Sequence, residues 1–497
     1  MIDLQTLLVP ASLAVGALFA ALSSGRWQVP IAAWLAPGFL LFASRTGDPV
    51  PTMAGLFVAL IGAGLVSNRG IVPVSRLTYV AMMAVQSGLA LVPFGIDRVL
   101  YPGIGGVAAT LVFPIVWTAY EFVGARTSAF GSWGSSAYSQ YGNLPLTQLA
   151  AVTGIWGISF LMAWAGSVGS WALDRGLAAS DVQAGLLLCG GVIALVLVGG
   201  GARLAFSGRS SRQVRVATVG RPDELLSPVE IMKILGDAAA SLGERERQRA
   251  TLALVNDELL VAAEREARAG ARLVVWPEAD AIVFAEDEAA FLDRARVLAQ
   301  SCRVHLLMGL VTVHPGGGRH LENRAVLVDP GGAVVVTYLK SRPVPGWEAS
   351  VSVPGDGRLP VVATDLGRVA VAICFDLDAP ELVRQAGRAR ADLLLAPASD
   401  WSAIGPLHHA MATFRAVENG VALVRAARFG VSAAVDAFGR VVGSADQVVG
   451  GEALAVELPI GSRATPYARV GDLFAWVSAV GAVGLAVLAV GRLAGVI

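Results

Sequence analysis

The chain has 497 residues, no net charge, 55% hydrophobic residues and only 15% charged ones, with a mean hydropathy of +0.62. Soluble domains usually carry roughly a quarter charged residues, so this average describes a chain that is part membrane-embedded and part water-exposed. Neutrality gives no electrostatic footprint for nucleic acid, and the three cysteines (Cys189, Cys302, Cys374) neither build a disulfide framework nor stand at metal-ligand spacing.

The charges are unevenly placed: of 76, only 13 precede residue 203. A bilayer span needs about 20 mostly apolar residues. Seven such stretches precede that point, at about 5–23, 29–44, 51–67, 77–95, 103–124, 147–172 and 183–202, and an eighth closes the chain from about 473. The expected organisation is a membrane domain over 1–202 with about seven transmembrane helices and a C-terminal transmembrane helix over 473–497. The opening segment, Met1 to Gln5, holds an acid and no Lys or Arg, so it does not read as a cleavable signal. Arginines divide four against four between alternate loops, so positive charge assigns no orientation. Glu121 falls inside or at the edge of the fifth span, where an ionisable side chain is either functional, with Arg126 as its expected partner, or interfacial.

From residue 212 to 462 the pattern changes to strands alternating with helices. Apolar β-rich runs occupy 212–220, 271–278, 305–313, 324–340, 367–376, 391–400 and 421–428, and Asp-Pro-Gly-Gly at 329–332 marks a hairpin turn. Helical stretches end at Gly270, follow residue 380 and cover about 407–420. This is a mixed α/β domain. His408 and His409 are adjacent, a poor arrangement for chelation because neighbours on a helix or strand point in different directions.

Three predicted strands end in reactive groups: Glu278 after LVVWP, Lys340 after VVVTYL and Cys374 after VAVAI. Strand ends are where α/β folds present catalytic side chains. Lys340 stands out because only it and Lys233 are lysines among 38 cationic residues. A compact ammonium does what a guanidinium cannot. Cysteine attacks as thiolate and needs a base; a carboxylate beside apolar Trp276 and Pro277 suits that role, and an ammonium nearby stabilises an oxyanion. The three together fit acyl transfer through a thioester.

These residues, in this order, resemble the nitrilase superfamily, and with the membrane flanks the whole chain resembles the apolipoprotein N-acyltransferase family. KSRPVPGWE (340–348) is similar to that family's lysine, Val-Pro and second glutamate, here Glu348. WSAIGPLHHAMATFRAVENG (401–420), TPYARVGD (465–472) and AYSQYGNLPLTQLAAVTGIWGISF (137–160) resemble three further family segments. The resemblance implies a multi-span α-helical membrane domain carrying an α/β nitrilase-like αββα sandwich over 212–462. It implies a ping-pong reaction in a bacterial cell (inner) membrane, with the catalytic domain on the extracytoplasmic side. Cys374 takes an acyl chain from a phospholipid donor as a thioester; the N-terminal diacylglyceryl-cysteine of a diacylated lipoprotein then receives it as an amide. Glu278 is the implied base and Lys340 the oxyanion partner, with the backbone N–H of Phe375; Glu348 supports them. Trp347, Phe375, Asp376 and Trp401 are the implied substrate-binding residues. No cofactor or metal is implied, and the expected state is a monomer in the bilayer.

The sequence departs from the family pattern in four places. Asp376 and Phe375 stand where the family has Glu and Tyr, and only 26 positions separate Glu348 from Cys374, where a longer apolar arm is usual. Residues 213–275 contain no tryptophan, and WPEAD places Asp280 near the glutamate. The shortened arm keeps open a second reading, a membrane-tethered amidase or hydrolase whose thioester is resolved by water. Asp376 and the missing tryptophan keep open a third, a non-enzymatic scaffold.

Overall fold

The computed structural model describes residues 4–208, 212–221, 226–236, 242–446 and 453–495. The chain divides into two compact units, Met1–Ser207 with Val470–Ile497, and Gly208–Arg469.

The first unit is helical. Helices Leu4–Leu22, Pro30–Thr46, Pro49–Ser67, Arg76–Ile104, Val112–Thr127, Trp156–Arg175, Ser180–Ala205 and Leu473–Leu493 coincide with the eight apolar stretches of the sequence. Five of the described helical segments are long and apolar enough to cross a membrane, and a sixth arises if Leu144–Thr153 and Trp156–Arg175, bent by 117°, are one broken span. Large apolar side chains such as Leu77, Leu187, Leu195 and Val198 face outward, an arrangement that lipid stabilises and water does not. Polar contacts are turned inward. Arg45 grips buried Asp97 through two bonds of 2.8 and 2.9 Å and also donates to the carbonyl and hydroxyl of Ser167, so one ion pair ties three helices.

Glu121 is buried, and Arg126 is not its partner. Its carboxylate accepts from Trp117 Nε1 (3.0 Å), Ser135 Oγ (3.1 Å), Ser136 N (3.1 Å) and Ser159 Oγ (2.6 Å). Arg126 instead pairs with Asp472 at 2.7 Å. Trp117 is a helix neighbour of Glu121 at i−4, but the three serines come from a following loop and another helix, so helix spacing alone could not reveal them.

The second unit is a sandwich of two sheets. The first sheet runs β13–β1–β2–β4–β5–β6, with strands β1 (Gln213–Thr218), β2 (Leu273–Val275), β3 (Ala281–Phe284), β4 (His305–Val313), β5 (Leu321–Val328), β6 (Val334–Leu339) and β13 (Leu454–Pro459); β3 also pairs with β4. The second runs β12–β11–β10–β9–β8–β7, with β7 (Val361–Thr364), β8 (Gly367–Val371), β9 (Leu393–Ser399), β10 (Ala422–Arg428), β11 (Val431–Val435) and β12 (Val441–Asp446).

Alternation along β1 explains the layering. Val214 and Val216 point into a core shared with Val369, Val371, Leu393 and Val424 of the other sheet. Ala217 and Val274 point the opposite way, onto helices Leu242–Arg268 and Glu288–Cys302. Helices Pro380–Arg388 and Gly405–Asn419 cover the second sheet. The result is the four-layered αββα arrangement, in which the parallel strands β9 and β10 are buried on both faces, β9 as a nearly continuous apolar run and β10 with Arg425 and Arg428 among apolar residues.

Candidate active site

Glu278 owes its position to an interruption in a strand. β2 pairs with the first part of β4 and β3 with the last part, on the same edge, so residues 276–280 leave the ladder between two stretches that belong to it. The exit is tight. Gly309 of β4 lies against the break, where a Cβ would sit 1.9 Å from the carbonyl oxygen of Pro277. Ala279 takes φ +57°, a left-handed conformation that turns the chain back. Glu278 is thereby pushed toward the second sheet: its N–H donates to Ala398 O at 3.3 Å, and its Oε2 accepts from Ser399 N at 2.9 Å.

Lys340 follows β6, and its N–H donates to Asn323 O of the neighbouring strand β5. The side chain is fully buried, with Nζ 2.7 Å from Glu278 Oε1 and 2.9 Å from each oxygen of Glu348. Burial alone would lower its proton affinity, but the Glu278 and Glu348 carboxylates override that and hold the ammonium well above its ordinary value. Glu348 is oriented in turn by Val344 N at 2.7 Å, within the Pro-restricted connector 341–346.

Asn323 is a further member of the cluster, with no local signal around it to single it out. Its Nδ2 donates to Glu278 Oε1 (2.8 Å) and Glu348 Oε1 (3.0 Å), the same two oxygens that Lys340 Nζ contacts, so it joins the two carboxylates a second time. Two acceptors on one amide nitrogen fix which end is which. Its own Oδ1 is buried with no partner among the described residues.

Cys374 opens a single turn of 3₁₀ helix, Cys374–Asp378, directly after β8. It has φ +46°, a left-handed conformation costly for a side chain with a Cβ, and Asp376 holds it there. Asp376 N donates to Ile373 O at 2.9 Å while Asp376 Oδ2 accepts from Ile373 N at 3.0 Å, closing the turn on itself. The same carboxylate accepts from Tyr338 Oη (2.8 Å) and Arg342 N (2.8 Å), which fastens the turn to the Lys340 segment. Asp376 is fully buried and all these contacts are internal, so its side chain supports the turn instead of lining a substrate surface. Burial pushes its proton affinity up to about 6 against the hydrogen bonds of Ile373 and Tyr338.

The thiol Sγ lies 3.7 Å from Ser399 O, the residue whose N–H anchors Glu278. Burial, then the charge of Glu278, pushes the Cys374 thiol well above its ordinary range, with Lys340 pulling the other way. A thiol held protonated beside a carboxylate and an ammonium can react as a nucleophile only as its proton leaves, which makes the adjacent base part of the attack. The four residues Glu278, Lys340, Glu348 and Cys374 are thus brought together at one end of the two sheets.

Among the remaining sequence candidates, Phe375 is buried in the nucleophile turn, Trp401 is half-buried with its ring 6.3 Å from that of His408, and Trp347 is exposed. Asp280 points away from Glu278; its carboxylate receives Arg221 N (2.9 Å) and Arg428 Nη1 (3.2 Å), making it a structural ion pair.

Comparison with known proteins agrees with this arrangement on both sides of the unit boundary. Residues 16–168 match the family model described as the apolipoprotein N-acyltransferase N-terminal domain, and residues 239–457 match carbon-nitrogen hydrolase. An apolipoprotein N-acyltransferase of Geobacter metallireducens is 29% identical, covering 93% of this chain and 91% of the relative. One of Azotobacter vinelandii is 30% identical over 73% of this chain and 70% of its own. Among solved structures, an amidase from Nesterenkonia sp. aligns over 51% of this chain and 91% of that chain, with 26% identity and a TM-score of 0.38. With two membrane-flank and catalytic-core matches in one chain, and relatives similar over most of its length, the protein belongs to the apolipoprotein N-acyltransferase family.

Proposed function

We propose that this bacterial membrane protein transfers an acyl chain from a phospholipid to the α-amine of a lipoprotein's N-terminal diacylglyceryl-cysteine, through a thioester on Cys374. The observation that carries the mechanism is the placement of Glu278. One carboxylate oxygen faces Lys340, and the other is fixed to Ser399, whose carbonyl receives the thiol.

In the first half-reaction Glu278 accepts the thiol proton as sulfur attacks the ester carbonyl. Lys340, held charged, stabilises the oxyanion of the tetrahedral adduct. Collapse breaks the ester C–O bond, and Glu278 returns the proton to the departing lysophospholipid alcohol. In the second, the amine attacks the thioester, a C–N bond forms, the C–S bond breaks, and the thiol is restored. Glu348 and Asn323 together hold Lys340 and Glu278 in place through contacts to both. Trp347, Phe375 and Trp401 are proposed to line the acyl path. Placement in the inner membrane with the catalytic unit outside the cytoplasm completes the reading. All four proposed catalytic groups come from one chain, so a monomer suffices.

The deciding experiment incubates the purified protein with phospholipid and measures its intact mass, then adds a diacylglyceryl-cysteine peptide. The expected result is a mass increase of one acyl group on the wild type, absent from Cys374→Ala, and N-acylated peptide only from the wild type. Acylation by Cys374→Ala would overturn the assignment. The short 26-position link from Glu348 to Cys374 favours one competing outcome, release of free fatty acid to water with no peptide acylation, and that outcome would make the protein a hydrolase.

A further inference from the structure

His408 belongs to none of the steps above, yet it sits within the site. It lies on helix Gly405–Asn419, is buried, and both its ring nitrogens meet carboxylates: Nδ1 is 2.9 Å from Asp400 Oδ1, and Nε2 is 3.2 Å from Asp378 Oδ2. A carboxylate oxygen only accepts hydrogen bonds, and a neutral imidazole has one N–H. A ring placed between two carboxylates in this way is stabilised as the imidazolium.

The two carboxylates it joins are not equivalent bystanders. Asp378 ends the turn that Cys374 begins, and Asp400 directly follows Ser399, the residue that contacts both the thiol and Glu278. A sulfur, carboxylate and ring-nitrogen atom from Cys374, Asp400 and His408 all lie within 4.8 Å of one another. Asp400 is locked from its other side by Arg425, whose Nη2 reaches both its oxygens at 2.8 and 2.7 Å. It also fills the space at Gly430, where a Cβ would fall 2.1 Å from Asp400 Oδ2. The array of Asp378, His408, Asp400 and Arg425 is consequently neutral only while His408 is charged. Without that proton, one uncompensated negative charge faces the sulfur.

We propose that His408 is a positioning residue of the acyl-transfer site, an imidazolium at neutral pH that clamps the nucleophile turn to the Ser399–Asp400 segment and neutralises the charge beside the Cys374 sulfur. The groups that face it are Asp378 from the nucleophile turn, Asp400 from the end of β9, Arg425 of β10 acting through Asp400, and Cys374 itself; its chain neighbour His409 is the one other titratable group beside it on the helix. Burial works against a charged ring, but the Asp378 and Asp400 carboxylates raise its proton affinity to about 9, so it keeps its proton through neutral pH. This rests on the reading of Cys374 as nucleophile.

The test is the rate of alkylation at Cys374 near neutral pH, where His408 holds its proton, in the full-length, detergent-solubilised protein, with iodoacetamide as probe and the Cys374 peptide followed by mass spectrometry. His408→Gln leaves the array negative, disfavours the thiolate and is expected to slow alkylation by roughly tenfold; a charge within about 5 Å in a partly buried site acts at that level. Asp378→Asn leaves it positive and is expected to speed alkylation. Opposite signs in two variants that break the same contact are what a purely structural role does not produce. If His408→Gln does not fold, Asp378→Asn still decides the matter. Unchanged rates, or changes in the same direction, overturn the proposal. Failure of Cys374 to react in the wild type at any pH would instead overturn the thioester reading beneath it.

Discussion

Lys340 shows why two cationic side chains are not interchangeable in one pocket. A single Nζ meets three carboxylate oxygens at 2.7–2.9 Å, on a fully buried side chain. A guanidinium spreads the same charge over a plane and would displace Glu278 or Glu348. Lys340→Arg is therefore expected to lower kcat for lipopeptide acylation by about 10²-fold or more, in line with the loss of one oxyanion partner; turnover close to wild type would refute that role. His408 and His409 make a second case, adjacent residues with opposite shifts. The folded protein holds His408 at about 9 because Asp378 and Asp400 outweigh burial, so its stabilising contribution is complete below the ordinary value of 6.5 and is lost as pH rises toward 9. His409 is driven down to about 4 by burial and Arg425, so its contribution is complete above 6.5 and is lost as pH falls toward 4. Each shift corresponds to something on the order of 3 kcal/mol. Thermal melts across pH 5–9 are expected to show His408→Gln flattening the alkaline limb and His409→Gln flattening the acid one.

The strand break that carries Glu278 depends on a glycine in its neighbour. Gly309→Ala would drive a methyl group into the Pro277 carbonyl, a backbone atom that cannot rotate away. β4 or the 276–280 segment must move, and Glu278 moves with it. The variant is expected to lose more than 90% of acyl transfer and to melt several degrees lower, read by the lipopeptide assay and a melt on the same sample. This element also marks where the sequence was legible and where it was not. The central strands β4 and β9 are long apolar runs and are readable as such, while β8 and β10 are readable from the apolar residues around their arginines. Strands β7, β12 and β13 are half-exposed edges with mixed composition, so no alternation marks them. The WPE stretch reads as a strand end, yet the line resumes as β3 after five residues, a fact set by pairing with β4 and not by any local signal. Lys340, Glu278 and Cys374 were legible because each ends a strand. Asn323 was not, since what brings it to them is the β5–β6 register that places it opposite the Lys340 backbone. The role of Asp376 was equally hidden: adjacency to Cys374 suggested substrate contact, and the side chain folds back under the turn.

Taken whole, the molecule combines an apolar helical unit with a packed αββα unit whose chemistry is carried by buried charges. The outward Leu and Val side chains of the helices are expected to keep the protein in the membrane pellet after an alkaline carbonate wash and to require detergent for release. The charges have a consequence for when protons enter and leave. Glu278 and Glu348 against Lys340 leave this cluster with one excess negative charge. During thioester formation the proton taken from sulfur departs on the alcohol, so the cluster ends as it began and the surrounding water is not consulted. An acceptor arriving as an ammonium carries three protons, of which the amide keeps one and the sulfur takes one, leaving one over. Lys340, kept protonated by its two carboxylates, cannot take it. Glu278 can hold that proton only until it must act as base again, so every turnover vents one proton to bulk solvent, in the second half-reaction alone.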